Sequence, residues 1–133
     1  MPERRPFDYA VVRVVPCIER AEFINAGVVL FSRAAGFLGC EIVLDTERLR
    51  ALAGPLEPSA LATIETHLAA MRAVCAGDPA AGPIAALPPQ ERFHWLVSPR
   101  STAIQISPVH GGLTDDPAAA LHRLFATLVS TTR

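Results

Sequence analysis

Apolar residues in the first third of the chain are grouped in runs that predict three β-strands. Residues 7–15, FDYAVVRVV, form a β-branched run that is apolar on both faces, which is typical of a central strand. Two more apolar runs follow at residues 23–31 and 37–44, and the connector between them, SRAAG, is short and ends in glycine. These two runs therefore predict an antiparallel hairpin.

The remainder of the chain has mainly helical periodicity. Leu61, Ile64, Leu68, Met71 and Cys75 recur at steps of three and four residues, between a proline at position 58 and a glycine at position 77. Further helices are predicted at residues 46–52, 88–97 and 117–128, and a fourth strand at residues 103–107.

The order of these elements indicates the fold class. Three strands, several helices, a strand and a last helix lack a βαβ alternation, which predicts an α+β fold with a mainly antiparallel sheet of about four strands and helices packed on it. We expect the 133 residues to form a single domain, with residues 1–6 as a loose N-terminal tail.

Charge and hydropathy narrow the possible partners. The net charge is −1, which argues against a broadly basic nucleic-acid-binding protein, although a local patch of arginines stays possible. All twelve basic residues are arginine, so Schiff-base and P-loop lysine chemistry are excluded.

No run approaches the ~18 apolar residues of a membrane span, and the amino end lacks the apolar core of a signal peptide. We expect no membrane association.

The cysteines indicate the redox compartment. Cys17, Cys40 and Cys75 are odd in number, widely spaced and without a C-x-x-C motif, so the sequence predicts neither a disulfide framework nor a zinc site. A reducing cytoplasm fits this pattern best. No metal-ligand spacing and no cofactor motif was found, and we expect neither a metal nor a cofactor.

A buried charge pair is the first candidate site. Arg13 lies within a run of valines, where an unpaired charge would be costly. In a three-stranded meander, one register places Gly27 opposite both Arg13 and Glu41, so that the two charged side chains meet over the glycine. Such a pair would be structural and fix the strand register, or Arg13 would bind a ligand or take part in catalysis.

The second candidate is the polar stretch SPRSTAIQISPVHGG, residues 98–112. Arg100 and Ser101 precede the fourth predicted strand, and His110 follows it in a loop that leads to a helix N-terminus. They are candidates for anion binding, and His110 also for general acid–base catalysis. A five-residue strand spans roughly 17 Å, so Arg100 and His110 can contact one ligand only if the chain bends between them. Ordinary loop chemistry is the alternative.

Four separated segments carry a family resemblance. They are YAVVRVVP at 9–16, EFINAGVVLF at 22–31, RFHWLVSPRSTAIQISP at 92–108 and DDPAAALHRLF at 115–125. In this order they resemble the bacterial family catalogued as domain of unknown function 3037. The resemblance implies no activity, but it implies a genomic context beside a HipA-like kinase, and hence a protein partner.

Three functional hypotheses follow. The first is a small cytoplasmic protein-interaction module, with a HipA-like kinase as a candidate partner. The second is a small enzyme or a nucleotide- or phosphate-binding protein that uses Arg13, Arg100 and His110, and it requires these three side chains to converge on one pocket. The third, nucleic-acid binding, requires several arginines on one face. The sequence does not determine the oligomeric state.

Overall fold

The computed structural model of the chain describes residues 3–100 and 102–130. These residues form an antiparallel sheet and four α-helices, which confirms the predicted α+β class. The strands are β1 (Arg5–Cys17), β2 (Glu22–Ser32), β3 (Phe37–Ile42), β4 (Ile104–Ile106) and β5 (His110–Thr114). The helices are α1 (Thr46–Ala53), α2 (Pro58–Ala76), α3 (Pro89–Leu96) and α4 (Pro117–Leu128). Short 3-10 turns connect α2 to α3.

The first three strands form the predicted meander. β2 pairs antiparallel with both β1 and β3, and the turn between β2 and β3 ends at Gly36, whose φ of +63° suits a residue without a side chain. On its other side, β1 pairs with β4 near its C-terminal half and with β5 near its N-terminal half. β3 therefore lies at one edge of the sheet, and β4 with β5 forms the other.

Helices cover the sheet on both faces. Val12, Val29 and Phe31 belong to a core with residues of α1, α2 and α3. Val28 and Leu30, which alternate with them, belong to a second core with residues of α4. Because the centre of β2 is buried from both sides, its sequence shows a continuous apolar run rather than an alternation.

A β-bulge on β2 adjusts this alternation. Val12 lies opposite Gly27, whereas Arg13 lies opposite Asn25, so Ala26 is the extra residue. In a regular strand Ala26 and Val29 would face opposite sides of the sheet. With the bulge, both pack against the core of α1 to α3.

Gly27 is required by a close approach of β3. An added Cβ at this position would lie 2.7 Å from the Glu41 carbonyl oxygen and 2.7 Å from Ile42 Cγ1. The carbonyl belongs to the backbone of the neighbouring strand and has no freedom to rotate away. The glycine thus sets the distance between β2 and β3 at the bulge.

One strand differs from the prediction. Residues 110–114 form β5, whereas the pattern HGG predicts a loop. Glycine disfavours strands in general, but here the phenyl ring of Phe7 occupies the place of a side chain at Gly112, since an added Cβ would lie 2.6 Å from its Cζ. At the other end of this pairing, β1 begins at Arg5, within the segment predicted as a tail.

We expect Gly27→Ala to lower the free energy of unfolding by about 1–3 kcal/mol, because the methyl group must displace a backbone carbonyl in a packed sheet. The matched control is Gly111→Ala, since an added Cβ there meets its nearest atom, the Phe7 carbonyl oxygen, at 3.6 Å. We expect the control to change the free energy by no more than about 0.5 kcal/mol. Urea unfolding followed by circular dichroism measures both. Equal effects of the two substitutions would contradict the close approach at Gly27.

Candidate functional site

Arg100 caps the C-terminus of α3. Its Nη1 donates to the carbonyl oxygens of Leu96 (2.8 Å) and Ser98 (3.1 Å), and its Nη2 donates to that of Trp95 (3.1 Å). The last carbonyls of a helix lack partners within the helix and carry a partial negative charge, which a cation stabilises. Three of the five N–H donors of this arginine are thus used inside the protein.

The surroundings of Arg100 are mostly apolar. Its guanidinium lies 5.0 Å from the centre of the Trp95 ring, and burial lowers the pKa of Arg100 below its ordinary value. The residue also borders a cavity of about 360 Å³, together with His67 and Met71 of α2. This setting gives Arg100 a structural role as a helix cap. Anion binding by the remaining donors stays a prediction.

The other two residues of this candidate site are placed differently. Ser101 lies outside the described residues. His110 is exposed and belongs to β5, opposite Tyr9 of β1, and the two rings are 5.6 Å apart. It does not stand in a loop before a helix, as the sequence suggested. Its role in acid–base catalysis stays a prediction.

The register predicted for Arg13 and Glu41 is wrong by one residue in both ladders of β2. Gly27 lies opposite Val12 and Ile42, not opposite Arg13 and Glu41. The Glu41 carboxylate instead lies 3.2 Å from His122 Nδ1 on α4. Among residues 3–100 and 102–130, the ion pairs are this one and Arg20–Glu22, so the proposed pair between Arg13 and Glu41 is not formed.

Arg13 has an aromatic partner in place of a carboxylate. Its guanidinium carbon lies 4.3 Å from the centre of the Phe23 ring, which is a cation–π contact. Its Nε is buried without a hydrogen-bond partner, and so is Oδ1 of Asn25, the residue directly opposite on β2. The Asn25 amide nitrogen donates to the Leu128 carbonyl oxygen at the end of α4 (3.0 Å), which fixes this side of the sheet against the helix.

Arg13, Arg100 and His110 do not converge. Arg100 lies with Trp95 at a cavity lined by α2, α3 and β4, whereas Arg13 alternates with Val12 and points to the opposite face of the sheet. His110 contacts Tyr9, four positions before Arg13 on β1, and four residues of a strand span about 13 Å. The geometry therefore provides no common pocket for an enzyme that would use all three side chains.

A groove at the β3 edge was not predicted. Its volume is about 510 Å³, and it runs along six consecutive residues, 38–43, of β3 and the position after it. α2 forms one wall through Arg72, Cys75 and Ala76, and Phe125 of α4 contributes to the other. The edge strand is thus recessed between two helices.

The phase of the β2–β3 ladder determines which backbone groups face this groove. The Val43 N–H donates to the Ala26 carbonyl oxygen (2.8 Å), next to the pair formed by Gly27 and Ile42. By the alternation of an antiparallel ladder, Leu38, Cys40 and Ile42 then direct their N–H and C=O groups away from β2. Arg72 Nε donates to the Ile42 carbonyl oxygen (3.1 Å). The backbone groups that face the groove without such a bond are therefore those of Leu38 and Cys40, and we call this part of β3 the open edge.

Two thiols lie in the same groove. Cys40 of β3 and Cys75 of α2 are on the same face of the sheet, although 35 positions separate them in the sequence. A hydrogen bond from the Cys75 thiol lowers the pKa of Cys40, and Arg72 lowers it further, against the opposing effect of burial. The same hydrogen bond and burial raise the pKa of Cys75.

Two kinds of site are absent from the described ranges. None of their helices has both the length and the apolar character needed to cross a bilayer. Within the same ranges, no three His, Cys, Asp or Glu side chains are grouped so that they could hold a metal ion.

Sequence comparison assigns a family without an activity. The family model described as "Protein of unknown function (DUF3037)" matches residues 9–129, which is most of the chain. No curated protein and no solved structure matches the chain. Functional inference therefore depends on the geometry above.

The capping role of Arg100 is open to test. Arg100→Ala removes the hydrogen bonds to the carbonyl oxygens of Trp95, Leu96 and Ser98 and the contact with the Trp95 ring, and we expect it to lower the free energy of unfolding by about 1–3 kcal/mol. Arg123→Ala, on the exposed surface of α4, is the matched control and should change it by less than about 0.5 kcal/mol. Chemical denaturation measures both, and an Arg100→Ala protein as stable as the control would show that the cap contributes nothing.

Proposed function

We propose that this chain, which belongs to the family described as "Protein of unknown function (DUF3037)", is a protein-interaction module that binds an extended segment of a partner protein along the β3 edge. The observation that carries the proposal is the open edge at Leu38 and Cys40, recessed in a groove between α2 and α4. Addition of a strand to a sheet edge is a common mode of peptide recognition, in which backbone hydrogen bonds supply much of the affinity.

The β3 edge lacks the usual protection against strand addition. Natural edge strands carry prolines, lysines or inward-pointing charges that prevent pairing with other chains. β3 has the sequence FLGCEI, with neither proline nor lysine, and the carboxylate of Glu41 is turned to His122 on α4. The six residues of β3 thus keep a straight and pairing-competent edge.

The walls of the groove indicate the kind of segment it would accept. Leu38 and Phe125 provide apolar surface on the two sides, and the cavity has the size of a typical ligand pocket. At the far end of the groove, Arg72 donates a hydrogen bond to the Ile42 carbonyl oxygen. Because this carbonyl is already bonded, it limits the length over which a bound segment can pair with β3. These features suit a short extended segment with apolar side chains on both faces.

The flanking helices favour a partner segment over a second copy of this chain. α2 and α4 both pack on β3, one on each face, so the space beside the edge is bounded from both sides. A second copy paired edge to edge would bring its own α2 and α4 to the same place. A single extended chain avoids this crowding.

The family resemblance suggests where to look for the partner. A HipA-like kinase is the first candidate, since the resemblance implies such a protein in the same genomic context. The proposal places the interaction in a reducing cytoplasm, in keeping with the three free cysteines.

A pair of tryptophan substitutions on α2 tests the groove. Ala76→Trp places a large ring at the groove wall, and Ala62→Trp, the matched control, lies on an exposed position about 21 Å away along the same helix. Short peptides selected from a random display library, and a HipA-like kinase from the same host, serve as ligands. We expect Ala76→Trp to weaken binding at least about tenfold and Ala62→Trp to leave it unchanged, measured by fluorescence anisotropy.

Several outcomes would contradict the proposal. Ligands that bind both variants as well as the parent protein would place the interaction elsewhere on the surface. A selection without any specific peptide, together with no binding of the kinase, would remove the support for strand addition. If light scattering shows a dimer that Ala76→Trp alone dissociates, the groove is an interface between two copies, and the partner-segment proposal is wrong.

A further inference from the structure

The two thiols in the β3 edge groove support an inference that does not require peptide binding. Cys40 is half-buried and Cys75 is only 6% exposed, and both line the groove. Cys17, the third cysteine, is exposed at the end of β1. The fold thus brings two thiols into one groove and leaves Cys17 on the surface. Cys17 therefore serves as an internal reference for the reactivity of an exposed thiol.

The charges around the pair favour a thiolate at Cys40. Arg72 precedes Cys75 by three positions on α2, and its Nε bond to the Ile42 carbonyl holds the guanidinium beside β3. Glu41 opposes the thiolate at Cys40, but its carboxylate is paired with His122 at the other face of the sheet. Arg92, whose Nη1 donates to the Cys75 carbonyl oxygen (2.8 Å), is the other cation near the pair.

We propose that Cys40 and Cys75 are an oxidisable dithiol site, in which Cys40 is the attacking thiol and Cys75 the resolving thiol, with a hydroperoxide as the oxidant. The geometry supports these roles, because the half-buried Cys40 and the buried Cys75 line one groove together with Arg72, and Cys40 packs against the core that contains Cys75. The inference depends on the thiols alone, so it stands or fails separately from the proposed interaction.

The reaction proceeds in two balanced steps. The Cys40 thiolate attacks one oxygen of the peroxide, so that an S–O bond forms, the O–O bond breaks and hydroxide leaves, giving a sulfenic acid. The Cys75 sulfur then attacks the Cys40 sulfur, forming the S–S bond and breaking the S–O bond, and the Cys75 proton leaves with the hydroxyl group as water. In total the thiols lose two hydrogen atoms and hydrogen peroxide is reduced to two molecules of water.

Peroxide treatment of a Cys17→Ser protein tests the pair with both thiols in place. One equivalent of hydrogen peroxide at neutral pH should lower the intact mass by two hydrogen atoms, link the peptides that contain Cys40 and Cys75, and be reversed by dithiothreitol. In the same background, Cys75→Ala should leave a sulfenic acid on Cys40 that dimedone traps. Cys40→Ala should leave Cys75 unmodified.

The pH dependence of alkylation provides a second readout. In the reduced Cys17→Ser protein, iodoacetamide should modify Cys40 with a half-maximal rate at a lower pH than in the same protein unfolded in urea, because the folded structure lowers the pKa of this thiol. Arg72→Gln should slow the reaction at neutral pH on the order of threefold, because the cation that lowers the pKa of Cys40 is removed, and Arg72→Lys should restore part of the rate.

Three results would overturn the inference. The first is a peroxide-treated protein without linked Cys40 and Cys75 peptides. The second is a Cys40 alkylation profile equal to that of the unfolded chain. The third is oxidation of the wild-type protein that stays confined to Cys17. The disulfide assay needs no substitution at either thiol, so a variant that failed to fold would not prevent the test.

Discussion

Burial of the β1–β2–β3 meander from both sides is the constraint on which the rest of the structure depends. β2 contributes Val29 and Phe31 to the core beneath α1 to α3 and Val28 and Leu30 to the core beneath α4. A sheet covered on both faces exposes little of its surface except at its edges. The side chains available for function are therefore those at the rims, and the faces of the sheet serve stability.

The two edges of the sheet differ in a way that bears on function. On the β1 side, β4 and β5 together pair with most of the strand and leave only short edges. On the β3 side, Leu38 and Cys40 keep backbone groups without a strand partner, inside a groove whose walls are α2 and α4. Open backbone groups, apolar walls and two thiols thus occur at one place, whereas Arg13, Arg100 and His110 are distributed over the molecule.

The sequence predicts most of the strands and helices, but it does not predict the groove at the β3 edge. Apolar runs predicted the meander, and helical periodicity with terminal prolines and glycines predicted the helices, because both signals are local. The bulge at Ala26 and the exact strand register have no local signal, and the predicted pairing of Arg13 with Glu41 depended on a register that is wrong by one residue on each side of Gly27. β5 was missed because the glycine at position 112 is explained by the ring of Phe7, more than a hundred positions away. The Cys40–Cys75 contact is likewise a product of the three-dimensional packing.

The central claim is that the β3 edge is open in the free protein and paired in the complex, and amide hydrogen exchange followed by NMR tests it most directly. In the free protein, the amides of Gly39 and Glu41 should exchange slowly because they bond to β2, while those of Leu38 and Cys40 should exchange fast. A saturating ligand should protect Leu38 and Cys40 selectively. Slow exchange at all four amides in the free protein, or unchanged exchange of Leu38 and Cys40 in the complex, would contradict the claim.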